Sequence, residues 1–199
     1  IIIGRRNNVK DISPLKNIST LKKLNMFENV INSIDPLHNN INLTSLNVSH
    51  NKIDKIDASI CFENLKKIYC CKNNLDNILF LENSVDLETI DVSNNKIKSL
   101  QPIIHCNKLR YIDISNNIID TIDTLPTLTY LESFNCSYNE LSTIDRLVGC
   151  VSLTFIDIST NKIKSIDCLS GCNDVEFLDC SDNFIKSLDC TSRMRKLEI

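Results

Sequence analysis

Apolar residues return along this chain in a fixed frame. Starting at Leu109, the apolar positions are Leu109, Ile112, Ile114, Ile119 and Ile122, and the polar residue at the centre is Asn117. A step of 22 residues in either direction restores the frame, and its asparagines are Asn7, Asn29, Asn51, Asn73, Asn95, Asn117, Asn139, Asn161 and Asn183. Five positions before each Asn stands Ile, Leu or Phe, from Ile2 to Leu178. Two after stands Val, Ile or Leu, from Val9 to Ile185. An unbroken period of this length specifies a stack of supersecondary units that each bury one face against their neighbours.

Within one unit, the apolar residues five and three before the Asn alternate with polar ones. That is the period of a short strand buried on one face. The later apolar positions recur at spacings near three, which predicts a tight turn and a short 3₁₀ segment. Six after the Asn comes Asp35, Asp57, Asp123, Asp145, Asp167 or Asp189, or Ser13; these are expected to cap that segment. Pro14 and Pro36 follow, where a first helical residue loses no bond by lacking an N–H.

Composition adds little against this frame. Of 199 residues, 42% are hydrophobic and 24% charged, and the net charge is -3. No nucleic-acid or anionic-membrane partner is expected from bulk charge, and no run is apolar enough to span a membrane. The ten cysteines matter more. Cys70, Cys136 and Cys180 share a column with Val48, Val92 and Ile114; Cys106, Cys150 and Cys172 share one with Ile18, Phe62 and Leu128. Free Cys packs as a small hydrophobe, so reduced buried thiols in a reducing compartment, cytoplasmic or nuclear, are expected. Cys71, next along the strand from Cys70, is expected to be exposed.

The phrase Leu-x-x-Leu-x-Leu-x-x-Asn-x-Ile-x-x-Ile resembles the leucine-rich repeats, and the unit length with its trailing Ile-Asp-x-Leu resembles their SDS22-like subclass. The resemblance implies an α/β repeat fold: a right-handed curved solenoid with a parallel β-sheet on its concave face and short 3₁₀ or irregular turns on its convex face. It also implies that the nine asparagines form a ladder bonding backbone groups of the turns. Residues 1–199 are expected to form one array of about nine rungs, cut within a repeat at both ends: Ile2 already fits a strand position, and Leu197-Glu198-Ile199 opens a further repeat. Uncapped ends imply a monomer or end-to-end contact.

Function in such a solenoid is expected on the outward residues of the concave strands. Arg5, Arg6, Lys22, Lys23, Lys66 and Lys67 gather toward the N-terminal side, and Asp91, Asp113, Asp157 and Asp179 toward the C-terminal side. Carboxylates on neighbouring strands about 5 Å apart repel by on the order of 1 kcal/mol in water, which a basic partner would relieve. Tyr69, Tyr111, Phe155 and Phe177 lie among them, residue types enriched at binding hot spots. These eight are the candidate partner-binding residues, although the aspartates also suit plain solvated positions. Leu79 and Phe80 are read either as an exposed docking patch or as a rearranged convex turn.

No catalytic constellation, metal set or cofactor motif is expected. His38, His50 and His105 occupy different repeat positions, and Cys168 and Cys172 are not spaced as zinc ligands. The leading expectation is a non-catalytic protein-interaction scaffold. The subclass resemblance implies one specific partner, the protein phosphatase 1 catalytic domain, held on the concave face. The alternatives are an internalin-like surface or secreted adhesin, suggested by Asp11-Ile-Ser-Pro-Leu and Leu21-Lys-Lys-Leu, or the recognition part of a larger multidomain protein.

Overall fold

A computed structural model describes residues 1–197. Nine parallel strands form one sheet in sequence order: β1 Ile2–Ile3, β2 Lys23–Asn25, β3 Ser45–Asn47, β4 Lys67–Tyr69, β5 Thr89–Asp91, β6 Tyr111–Asp113, β7 Ser133–Asn135, β8 Phe155–Asp157 and β9 Phe177–Asp179. Each strand pairs in register with the next at an offset of one repeat, as Ile90↔Ile112 and Ile112↔Phe134 show. The strands are short because only one inward residue lies between two outward ones. That inward column, Leu24 through Ile156, is buried and heads a continuous hydrophobic core along the array.

What ends each strand is a backbone feature absent from the residue pattern. The residue before every ladder asparagine has positive φ, between 50° (Lys72) and 56° (Glu28, Asn116). None of the nine is glycine, and they include Tyr138 and the β-branched Thr160. A left-handed residue is disfavoured for such side chains, so the surrounding bonds hold it there. The N–H of Thr160 donates to Ser181 O at 2.9 Å, and Asn161 N follows to Asp182 O at 3.1 Å.

The asparagine then locks the corner. Asn117 Nδ2 donates to Ile114 O in its own rung at 3.0 Å and to Val92 O in the rung before at 3.1 Å; its Oδ1 accepts from Ile97 N at 2.8 Å. The same three-way pattern holds from Asn29 to Asn183. Asn7 donates only within its own rung, to Gly4 O and Arg5 O. Each amide thus satisfies backbone groups that the bend would leave buried and unpaired.

On the convex side, 3₁₀ segments follow six positions after the Asn, as in Asp35–Asn39 and Asp167–Gly171, with Pro14, Pro36 and Pro102 near their starts. The expected caps at that position are corrected: none of the segments carries a side-chain cap from the residue before its start. The acceptor stands two residues earlier, where Ser33, Thr143, Ser165 and Ser187 take the N–H of Asp35, Asp145, Asp167 and Asp189. The third connection has Lys55 at that place, which cannot accept. Asp57 replaces it two residues later, taking Ser59 N at 2.8 Å, and the turn slips so that Ile60 enters the core and Ser59 stays out.

Phe80 is also core rather than surface. It is 1% exposed and meets Phe62 edge to face at 6.4 Å, leaving Leu79 alone outside at 47%. The cysteines are all unpaired. Cys71 is half-buried rather than exposed. Those eleven after the Asn do more than fill space: Cys106 Sγ donates to Ser84 O at 3.3 Å and Cys172 Sγ to Cys150 O at 3.4 Å, while Ser84 Oγ and Asn40 Nδ2 donate in the same column to Phe62 O and Ile18 O. A second, interrupted set of cross-rung bonds therefore lies in this column, broken where it holds Phe62 and Leu128. Of the further repeat opening at Leu197, Glu198 and Ile199 lie outside the described residues.

Candidate protein-binding face

Alternation places the residues before and after each inward strand position on the opposite side of the sheet. There the structure brings together Tyr69 of β4, Asp91 of β5, Tyr111 and Asp113 of β6, and Phe155 of β8. With Thr89, Ser133 and Asn135 they line a shallow depression of about 310 Å³. Asp157, Phe177 and Asp179 extend the face beyond it along the same registers, Phe155↔Phe177 and Asp157↔Asp179.

Each aspartate of the column is half spent on its own turn. Oδ1 of Asp91, Asp113, Asp157 and Asp179 accepts from both the N–H and the hydroxyl of the Ser two residues on, at 2.6–3.1 Å. This explains the Asp-x-Ser phrase as a local turn device, and it leaves Oδ2 as the second acceptor of each carboxylate. Asn135 interrupts the acids and donates to Asp113 Oδ2 at 3.4 Å. Burial pushes the Asp113 carboxyl above the ordinary carboxylate range; the bonds from Ser115 pull it back, and the charges of Asp91 and Asp157 push it further up.

The aromatics divide into one fixed anchor and one stack. Tyr111, 46% exposed, donates its hydroxyl to Glu132 Oε2 at 2.5 Å, and Arg110 pairs with the other oxygen of the same carboxylate. These bonds hold the Glu132 carboxyl low and the Tyr111 phenol high. Phe155 and Phe177 stack face to face at 4.7 Å with 6° between their planes, and Phe177 remains 45% exposed. Glu132 is a participant that the sequence pattern did not single out; its only signal was a carboxylate one repeat after Arg110.

The other half of the face is basic and carries a second arrangement missed from the sequence. The guanidinium carbons of Arg5 and Arg6 lie 5.6 and 6.0 Å from the centre of the Phe27 ring, and Phe27 packs on His50 at 4.8 Å. Arg6 also pairs with Glu28 at 3.1 Å. The signal was present, since Arg5 and Phe27 share one column and Arg6 and His50 another.

Among the described residues no group of three or more His, Cys, Asp or Glu is placed to hold a metal ion. The thiols are poor nucleophiles where they sit: burial pushes Cys106 and Cys168 up to about 12 and Cys172 up to about 11.

Models of the family described as leucine-rich repeats match residues 85–127 and 131–171, and a related leucine-rich-repeat model matches 39–59. No curated protein matches the sequence. An internalin, InlF of Listeria monocytogenes, is similar in structure with a TM-score of 0.89 at 26% identity, over 96% of this chain and 57% of that one. This chain thus spans little more than half of that protein's length. Internalin C2 of the same organism aligns with a TM-score of 0.84 at 20% identity, over 92% and 80% of the two chains. The plant peptide hormone receptor RGFR1, in complex with RGF2, aligns at 0.82 and 22% identity, over 92% of this chain and 32% of the receptor. With the repeat models over more than half of its length and nine in-register strands tied by an asparagine ladder, this chain belongs to the leucine-rich-repeat proteins.

Proposed function

We propose that the acidic and aromatic half of the concave sheet docks a basic segment of a partner protein. The leucine-rich-repeat fold is a protein–protein interaction scaffold, and the proposal concerns which part of this one is used. The observation that carries it is the Phe155–Phe177 stack, an apolar plate on a sheet face beside the carboxylates of Asp157 and Asp179, each bonded to its turn through Oδ1. Burying such a plate against a Lys or Arg stem gains apolar contact and a cation–π term together.

The protein phosphatase 1 catalytic domain is the narrower version of this partner, and it rests on the subclass resemblance and the acidic–aromatic character of the face. The likeness to internalins is one of fold and does not favour an adhesin. A reducing compartment, cytoplasmic or nuclear, belongs to the same reading; it is supported by thiols packed in the core and bonded across rungs.

An affinity pull-down comparing the wild-type chain with Phe155→Ala/Phe177→Ala tests the site. Loss of specific partners from the double variant, and weaker capture as salt rises, are the expected results. An unchanged partner set would refute it.

A further inference from the structure

The concave face is divided by charge more strictly than a scaffold requires. In its outward strand columns, β2 and β4 present Lys23 and Lys67 in one register on either side of Ser45, with Arg5 beside β1. These three cations form no ion pair among the described residues, whereas Arg6, Lys66, Lys108, Arg110, Lys162 and Lys196 all do. From β5 onward the same columns carry Asp91, Asp113, Asp157 and Asp179 and no cation.

We propose that this basic half is a second docking site, for an acidic segment of a protein partner, with the Arg5–Phe27–His50 stack as its anchor. A guanidinium resting against an aromatic ring, as Arg5 does at 5.6 Å from the Phe27 centre, retains N–H donors for bidentate capture of a carboxylate. Lys23 and Lys67 stand two strands apart, about 10 Å at ordinary strand spacing, within reach of successive acids on an extended peptide. A nucleic acid fits less well. A polyanion draws on many phosphate contacts, and one continuing along the sheet would run into the aspartate column. A protein surface with an acidic patch followed by a basic one matches the whole face, and the division of charge then fixes which way round the partner sits.

The basic half stands independently of the acidic–aromatic docking reading, and the measurements separate them. Three fluorescent peptides are titrated into the wild-type chain at low and moderate salt: one rich in Glu, one rich in Lys, and one with a Glu block joined to a Lys block. The Glu-rich peptide is expected to bind, to lose about tenfold or more in affinity with Lys23→Ala/Lys67→Ala, and to be unaffected by Phe155→Ala/Phe177→Ala. The joined peptide is expected to bind more tightly than either parent. Both pairs of substitutions lie on the outward side of the sheet, and an unchanged melting temperature confirms folding. If the Glu-rich peptide fails to bind, or binds equally to the Lys variant, the basic site is overturned. It is also overturned if single-stranded RNA binds more tightly at the same salt. Failure confined to the Lys-rich peptide would instead strike the acidic half.

Discussion

Asn117 and Ile97 are twenty residues apart in the chain and joined by a 2.8 Å hydrogen bond, the side-chain oxygen of one accepting the backbone N–H of the other. The same amide donates to Val92 O and Ile114 O. Truncation in Asn117→Ala would leave these buried groups unpaired, at about 1–3 kcal/mol for each unsatisfied group. The expected result is a destabilisation of about 3 kcal/mol in urea, with loss of hydrogen-exchange protection at the Ile97 amide. Protection at Ile97 equal to wild type would contradict the ladder's role.

Thr160 holds φ at 53° with a β-branched side chain. Asn tolerates that region better, and Asn94 and Asn116 already occupy it in two other rungs. Thr160→Asn is therefore expected to stabilise by about 0.5–1 kcal/mol. A melting curve reads it, and a decrease in melting temperature would count against strain at this corner.

Asp113 gives a pH dependence with a definite sign. Its carboxyl is raised in the fold, chiefly by burial, so the fold favours the protonated form. That contribution is present below the ordinary carboxylate range and is lost as pH rises through the folded value. Asp113→Asn should raise the melting temperature at pH 7, and the difference should shrink toward pH 3. Asn135 shows that the amide serves the turn, since its Oδ1 accepts from Ser137 N and Oγ at 3.0 and 2.8 Å. A variant less stable than wild type at pH 7 would show that the Ser115 bonds outweigh burial.

Thiol titration tests the cysteines. Alkylation at pH 8 without reductant should be slow in the native state, with the partly exposed Cys61, Cys71 and Cys180 modified before the buried Cys70 and Cys136. Denaturant should release all ten. Fewer than ten in denaturant would mean disulfides, and would overturn the reducing compartment.

The scaffold was legible because its constraint is chemical and repeated: the corner needs two N–H donations and one acceptor from a short side chain, which the Asn amide supplies, so the Asn column does not drift. The strand columns followed from alternation. The left-handed corners were not legible, since Arg, Glu, His, Lys, Tyr and Thr give no sign of positive φ; tertiary bonds impose it. The turn acceptors stand two residues ahead of the Asp column, on Ser33, Thr143, Ser165 and Ser187, whose small hydroxyls are common in loops and mark no position by themselves. The cross-rung thiol bonds were hidden because Cys reads first as a small hydrophobe. Of the face, the columns gave its members, including both partners of the Phe155–Phe177 stack. The tether of Tyr111 to Glu132 needed the side chains in place, since those two residues stand in different columns.

The in-register pairing of every strand has a consequence for how such a chain can change. One whole repeat can be added or removed without disturbing the alternation, the corner or the ladder, because each rung presents the same bonds to both neighbours. Such an edit between β4 and β5 would move the basic half of the face relative to the acidic half by one strand spacing, about 4.8 Å, and would part Tyr69 from the depression it lines with Asp91 while leaving the contacts from β5 onward as they are. The distance between two chemistries on this surface is thus set in whole repeats, and a partner's fit can be adjusted by counting rungs instead of redesigning contacts.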